Sequence, residues 1–209
     1  MTGMDVVVFG AGGHAKVVIS TLRAAGHRIV GLYDDDPAKW GSVVLGVKVS
    51  AVTEGASGIG VIAIGDNRTR QQIAARTRNM EWCTVIHPDA YVDPTVRMGV
   101  GTVVFAGAVI QPDTLIGNHV IVNTGATVDH DCRLGDFVHV APGCHLAGQV
   151  VLDTGVLMGI GSAAIPGVHV NAWATVGAGG VATRDIPAHV VAVGVPARVI
   201  VWKEGSRAR

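Results

Sequence analysis

Between Tyr91 and Ile186 the chain repeats every six residues without a slip, and this period limits the possible folds more than any other feature. Steps of six from Val92 land on Val92, Met98, Val104, Ile110, Ile116, Val122, Val128, Leu134, Val140, Leu146, Leu152, Met158, Ala164, Val170, Val176 and Ala182. Fourteen of the sixteen are Val, Ile, Leu or Met, and the other two are Ala. Four residues after each lies a second track of small or β-branched residues, among them Thr102, Ala108, Cys132, Cys144, Ser162 and Gly180. Such a period is neither helical (about 3.6 residues) nor that of a lone strand (about 2). It is the hexapeptide signature of a parallel β-helix, in which each hexad is a short strand plus a corner. Three hexads make a triangular coil of eighteen residues, so sixteen hexads predict five coils and a fraction. Coils stack at the strand spacing, ~4.8 Å, and each covers its neighbour's core. Gly99, Gly117 and Gly135 recur at intervals of eighteen and are expected at corners needing φ > 0.

The remaining length, within 209 residues, allows one further small domain. Zero net charge argues against nucleic acid or an anionic membrane as the main partner. Three cysteines, Cys83, Cys132 and Cys144, show no metal spacing and read as buried thiols of a cytoplasmic protein. No signal peptide or membrane-spanning run is expected, since Met4–Phe9 leads straight into a glycine turn.

Asp5–Phe9 reads as a buried strand ended by Gly10-Ala-Gly-Gly-His-Ala-Lys16. Helical periodicity follows over 16–25, a second strand over 28–33, and Asp34-Asp35-Asp36-Pro37 closes it. A strand over 61–64 and a helix over 69–78 complete a parallel α/β unit. The expected division is an α/β Rossmann-like half-domain over 1–82, the β-helix over 88–186, and a C-terminal cap with a basic tail over 187–209. Gly10-x-Gly12-x-x-Ala15 follows a strand and opens a helix, whose free N–H groups suit a phosphate. About eighty residues form only half of a dinucleotide fold, which favours a mononucleotide or sugar-nucleotide diphosphate over NAD.

Among nine histidines, His119, His145, His169 and His189 have no distinguishing neighbours. His130 differs: it lies near a corner, in Thr127-Val-Asp-His-Asp-Cys132, with acids on both sides. One coil later stands Gly148, which leaves a backbone N–H accessible beside the imidazole. That pairing suits acyl transfer, with the imidazole taking a proton from the acceptor and the N–H steadying an oxyanion. In an ideal strand Asp131 points away from His130, so any orienting role depends on the backbone turning there.

The Gly10–Lys16 turn, Asp34-Asp35-Asp36, Ile64-Gly-Asp-Asn-Arg68, Val128-Asp-His-Asp-Cys132 and Gly194-Val-Pro-Ala197 together resemble sugar O- and N-acetyltransferases of the sialic-acid O-acetyltransferase type. Members include enzymes that acetylate UDP- or GDP-linked 4-amino-sugars. The resemblance implies a left-handed β-helix, a homotrimer, and acetyl-CoA in the groove between two β-helices, with no metal. It maps the general base onto His130, its acidic neighbour onto Asp131, and the oxyanion donor onto Gly148. Acetyl-CoA contacts fall on His139 (from the adjoining subunit), Ile160 and Ala178, besides Gly148. The sugar nucleotide falls on Gly12, Gly13, His14, Asp34, Asp35 and Gly65. Some relatives carry Glu where this chain has Asp131, one methylene shorter.

Other readings stay open at this stage. O-acetylation of a sialic acid is the nearest rival. A zinc hydratase would recruit His130, His139 and His145, and a nucleotide-binding scaffold would catalyse nothing.

Overall fold

A computed structural model describes residues 3–52 and 57–200. The basic tail expected at the C-terminus, 201–209, lies outside these residues. In the N-terminal region the elements are β1 (Asp5–Phe9), α1 (Gly13–Ala24), β2 (Arg28–Tyr33), β3 (Val43–Val44), β4 (Val47–Ser50), β5 (Gly58–Ile62), α2 (Asn67–Arg76) and β6 (Met80–Trp82). They form one sheet in the order β3-β4-β2-β1-β5-β6, parallel throughout except for the β3–β4 hairpin.

Several boundaries differ from the sequence reading for local reasons. Helix α2 begins two residues before 69 because Asp66 caps it, accepting from Thr69 N at 2.8 Å. Strand β5 starts at Gly58, ahead of 61, and Gly60 is admitted because Met80 and Phe9 leave no room there for a side chain. The β3–β4 hairpin lacks an Asn-Gly signal, yet Leu45 and Gly46 both take positive φ (47° and 80°), as a two-residue primed turn requires.

Residues from Val85 onward wind into a three-sided prism. Sheet 1 carries Val85–Ile86, Val103–Val104, Ile121–Val122, His139–Val140, Leu157–Met158 and Thr175–Val176, and is closed by the cap strands Val191–Val193 and Arg198–Ile200. Sheet 2 runs from Tyr91–Val92 through Thr127–Val128 and His145–Leu146 to Val181–Ala182. Sheet 3 runs from Arg97–Met98 to His169–Val170. Within the hexad repeat each strand pairs in parallel with the one eighteen residues on, as Val103 does with Ile121 and Thr127 with His145. At the cap Thr175 meets Val191, and the two cap strands pair antiparallel. The apolar hexad track points inward and is buried from Val104 to Ala182, with Val92 and Met98 partly covered at the open end.

The corners correct one expectation. Gly99, Gly117 and Gly135 are not the left-handed positions. Every sixth residue from Gly101 to Gly179 is, with φ between 53° and 74°. Glycine stands at many of these sites, but Asp113, His119, Asp131, Phe137, Gln149 and Trp173 also occupy them. Gly99, Gly117 and Gly135 serve close approach instead: a Cβ there would come within 2.4, 2.5 and 2.7 Å of the next coil.

The α/β domain covers sheet 1. Outward-facing Val85, Val103 and Ile121, with Phe105, share a core with Ala15, Val18, Ile19 and Leu22 of α1. Helix α2 adds a polar clamp at the corner between sheets 3 and 1. Fully buried Arg70 donates to the carbonyls of His119 (2.8 Å), Phe137 (2.8 Å), Ile64 (3.1 Å) and Gly65 (3.2 Å). Asn67 donates to the Gly155 and Val156 carbonyls at 3.0 and 3.1 Å. Residues 119, 137 and 155 occupy one corner position in three successive coils, so α2 is registered against the repeat itself.

Candidate active site

His130 sits on the edge between sheets 2 and 3, with about half of its side chain exposed. Asp131 occupies the left-handed corner position, φ 59°, and this turn swings its carboxylate back onto the preceding ring. Nδ1 of His130 lies 2.8 Å from Asp131 Oδ2, so the shorter acid reaches the imidazole. The pairing keeps the proton on Nδ1 and leaves Nε2 as the free base. That hydrogen bond, aided by the charge of Asp129, raises the imidazole's pKa above its ordinary value. A Cβ at position 148 would stand 2.6 Å from His130 Cε1 and 2.7 Å from Nε2. Glycine leaves room for the ring in this position, and its N–H finds no acceptor among the described residues. Imidazole lone pair and open amide sit together on one exposed edge, an arrangement suited to proton removal beside a developing oxyanion.

Ile160 and Ala178 lie on another edge, between sheets 1 and 2, in equivalent positions of successive coils. Ile160 is 60% exposed, unusual for its type, and neither residue's N–H has an acceptor among the described residues. An aliphatic, amide-bearing arm could lie along this edge.

His139 is on sheet 1, under the α/β domain. Its Nδ1 donates to the Gly65 carbonyl (3.1 Å), its Nε2 faces Asn123 Nδ2 (3.0 Å), and its ring centre is 6.2 Å from that of His14. Burial, then the charge of Arg70, lowers both imidazoles to about 4, so they are neutral at pH 7. His14 also packs on Phe105, with ring centres 5.4 Å apart. Within one chain His139 thus joins Gly65 and His14 rather than His130.

At the start of α1, Gly12 caps without a side-chain partner, and a Cβ on Gly12 or Gly13 would meet nothing within 4 Å. The helix N-terminus is open to an anion. Beside it a cavity of about 240 Å³ runs between the ends of β1, β2 and β5 and helix α2. Asp34 shapes this cavity: its carboxylate accepts from Ala11 N (2.7 Å), Asp36 N (3.0 Å) and Lys39 Nζ (3.0 and 3.1 Å). Burial alone would raise its pKa, but these donors bring it below the usual carboxylate range. Asp35 stands further out, paired with Arg76 of α2.

His130, His139 and His145 are not brought together, and no group of three His, Cys, Asp or Glu among the described residues could hold a metal ion. No described helix is long and apolar enough to cross a membrane. Sequence reading missed Arg70, and His119, to which it gave no functional role, has its ring buried between Trp82 and Phe137.

A three-sided prism carrying an exposed edge histidine and an open glycine amide defines a hexapeptide-repeat acyltransferase. Residues 5–77 match the PglD N-terminal domain family. PerB from Caulobacter crescentus, solved with CoA and GDP-perosamine, is 45% identical and has a TM-score of 0.88, covering 94% of this chain and 97% of that one. The acetyltransferase domain of PglB from Neisseria gonorrhoeae, solved with acetyl coenzyme A, is 36% identical with a TM-score of 0.88, covering 96% and 100%. The chain belongs to the hexapeptide-repeat nucleotide-amino-sugar N-acetyltransferase family, with the left-handed β-helix of that fold. Among curated relatives, a protein of Acanthamoeba polyphaga mimivirus is 36% identical over 94 residues, 44% of this chain but 19% of that protein. A tetrahydropyridine-dicarboxylate N-acetyltransferase of Staphylococcus aureus is 39% identical over 70 residues, 30% of this chain and 29% of that one.

Proposed function

We propose that the protein transfers acetyl from acetyl-CoA to the amino group of a nucleotide-linked 4-amino-sugar, UDP- or GDP-linked. The observation that carries this reading is the His130–Asp131–Gly148 group: a carboxylate-held imidazole with a free Nε2, packed against an open amide. His130 Nε2 takes the proton as the amine attacks the thioester carbon. The Gly148 N–H stabilises the tetrahedral oxyanion, whose collapse expels the CoA thiolate. The protonated imidazole then returns its proton to that leaving group. Gly12, Gly13 and His14 with Gly65 hold the diphosphate and sugar, and Asp34 and Asp35 border the nucleoside. Ile160 and Ala178 offer backbone N–H groups to the pantetheine arm.

One chain does not complete this site. The α/β domain covers sheet 1, whereas His130 lies on the opposite edge, between sheets 2 and 3. An acceptor held by the α/β domain of one copy therefore reaches His130 of another, which supports a homotrimer with its sites between subunits. Three buried free thiols fit a reducing, cytoplasmic setting.

The test is thiol release from acetyl-CoA with a panel of UDP- and GDP-linked 4-amino-sugars and CMP-sialic acid. Release with an amino-sugar, abolished in His130→Ala, is expected. Release only with sialic acid would reassign the reaction to O-acetylation, and binding without release would leave a scaffold.

A further inference from the structure

We propose that Arg68 and Trp173 are a positioning pair: their stack holds the Gly65 loop at a fixed height on the prism, and thereby sets how well the acceptor is captured. The inference deepens the proposed function and rests on its assigning Gly65 to the sugar nucleotide.

The corner between sheets 3 and 1 carries Gly101, His119, Phe137, Gly155 and Trp173 in successive coils, all with left-handed φ from 53° to 72°. Glycine takes that conformation freely, whereas a bulky side chain is disfavoured there. Rings nevertheless stand in three of the five coils, and helix α2 meets the row coil by coil. Arg70 donates to the carbonyls of His119 and Phe137, and Asn67 to that of Gly155. Arg68, in the first turn of α2, adds the next contact: its guanidinium carbon lies 4.1 Å from the centre of the Trp173 ring. The ring is seated for this contact. It packs so closely on Gly155 that a Cβ there would come within 2.3 Å of it.

The loop before α2 is tied on one side only. The Gly65 carbonyl accepts from Arg70 (3.2 Å) and from His139 (3.1 Å). Toward the next coils a cavity of about 190 Å³ is lined by Gly65 and Asp66 and by Leu157 and Thr175 of sheet 1. Here the loop is not packed on the sheet. Arg68 and Trp173 line the same cavity, one from the α/β domain and one from the prism, and their contact joins the two. A cation on an aromatic face is favourable but weak at an exposed site, so the pair contributes little to folding as a whole. Its effect falls on the loop. Neither residue is placed at the reacting atoms, and both act through the position of Gly65.

The test uses Arg68→Met and Trp173→Gly, the second chosen because Gly101 and Gly155 already occupy this corner, so the coil keeps its turn. Hydrogen exchange should speed up across residues 63–67 in both variants, with α1 and the coils at wild-type rates. In the thiol-release assay KM for the sugar nucleotide should rise about two- to fivefold, with kcat and KM for acetyl-CoA unmoved. The double variant should be no worse than either single one, because the same contact is lost in all three. Arg68→Lys and Trp173→Phe keep a cation and a ring and should restore wild-type values; Phe137 shows that phenylalanine fits the corner. Unchanged exchange, an unchanged sugar-nucleotide KM or additive effects in the double variant would each overturn the pairing. An equal rise in KM for acetyl-CoA would do so too, since it would mark a general loosening. No thiol release from wild type with any nucleotide-linked amino-sugar would instead overturn the acetyl-transfer reading, and the exchange rates would still decide the pair.

Discussion

Two histidines nine residues apart occupy opposite sides of one prism, and their surroundings make them different reagents. His130 stands on a bare edge, tied at Nδ1 to Asp131, with its pKa raised and Nε2 open. His139 lies under the α/β domain with both nitrogens engaged and its pKa pulled to about 4. The repeat supplies a position for each, and what covers the position decides its chemistry. A proton acceptor needs solvent and a carboxylate; a packing imidazole needs a dry face and backbone partners.

The largest expected effect lies on the bare edge. His130→Ala should lower kcat by about 10²–10⁴-fold, the range of a lost general base, with acetyl-CoA affinity nearly unchanged by calorimetry. If kcat held, the comparison would collapse, since the exposed edge would then carry no chemistry.

Next comes the clamp that keeps the other side dry. Arg70→Ala strips donors from the His119, Phe137, Ile64 and Gly65 carbonyls and should cost about 3 kcal/mol in chemical denaturation. It should also let the His139 pKa climb from about 4 toward its ordinary value, read by NMR titration, because burial and the Arg70 charge are what depress it. A variant of native stability with His139 still depressed would show that the hydrophobic face on α1 alone seals the junction.

What the sequence made legible follows the same division. The hexads from Val104 to Ala182 point inward as read, because one inward apolar residue per six is a constraint the solenoid cannot relax. His130 and Gly148 were found together because eighteen residues carry any side chain to the same place one coil up. Asp131 was ambiguous because its direction depends on a left-handed φ, and a non-glycine residue gives no signal of that. Arg70 was invisible for a different reason. Its acceptors are main-chain carbonyls 49 and 67 residues away, and carbonyls leave no mark in sequence. The β3–β4 hairpin, turning at Leu45-Gly46, escaped for want of the usual turn residues.

Asp131→Asn sharpens the contrast on the catalytic side. The carboxylate favours the protonated imidazole, so the folded pKa of His130 sits above its ordinary value. Removing the charge lowers that pKa, leaving the base unprotonated to lower pH. The acid limb of kcat/KM should therefore move down in pH, while the plateau falls roughly tenfold as orientation is lost. An upward or absent shift would mean that Asp131 does not set the proton affinity of the base.

The smallest effect is expected on the covered side. In His139→Gln the side-chain amide can still donate to the Gly65 carbonyl, with some loss of packing against His14. Because His139 is neutral from about pH 5 upward, replacing it removes no titration in the working range. The acid limb should stay where wild type has it, with KM for the sugar nucleotide changed a few-fold, about 1 kcal/mol or less. A moved acid limb would mean that the covered histidine exchanges protons during turnover, and the division of labour between the two sides would fail. An unmoved limb with altered KM would place His139 where its contacts put it, holding the Gly65 loop against the prism while His130 handles the proton elsewhere.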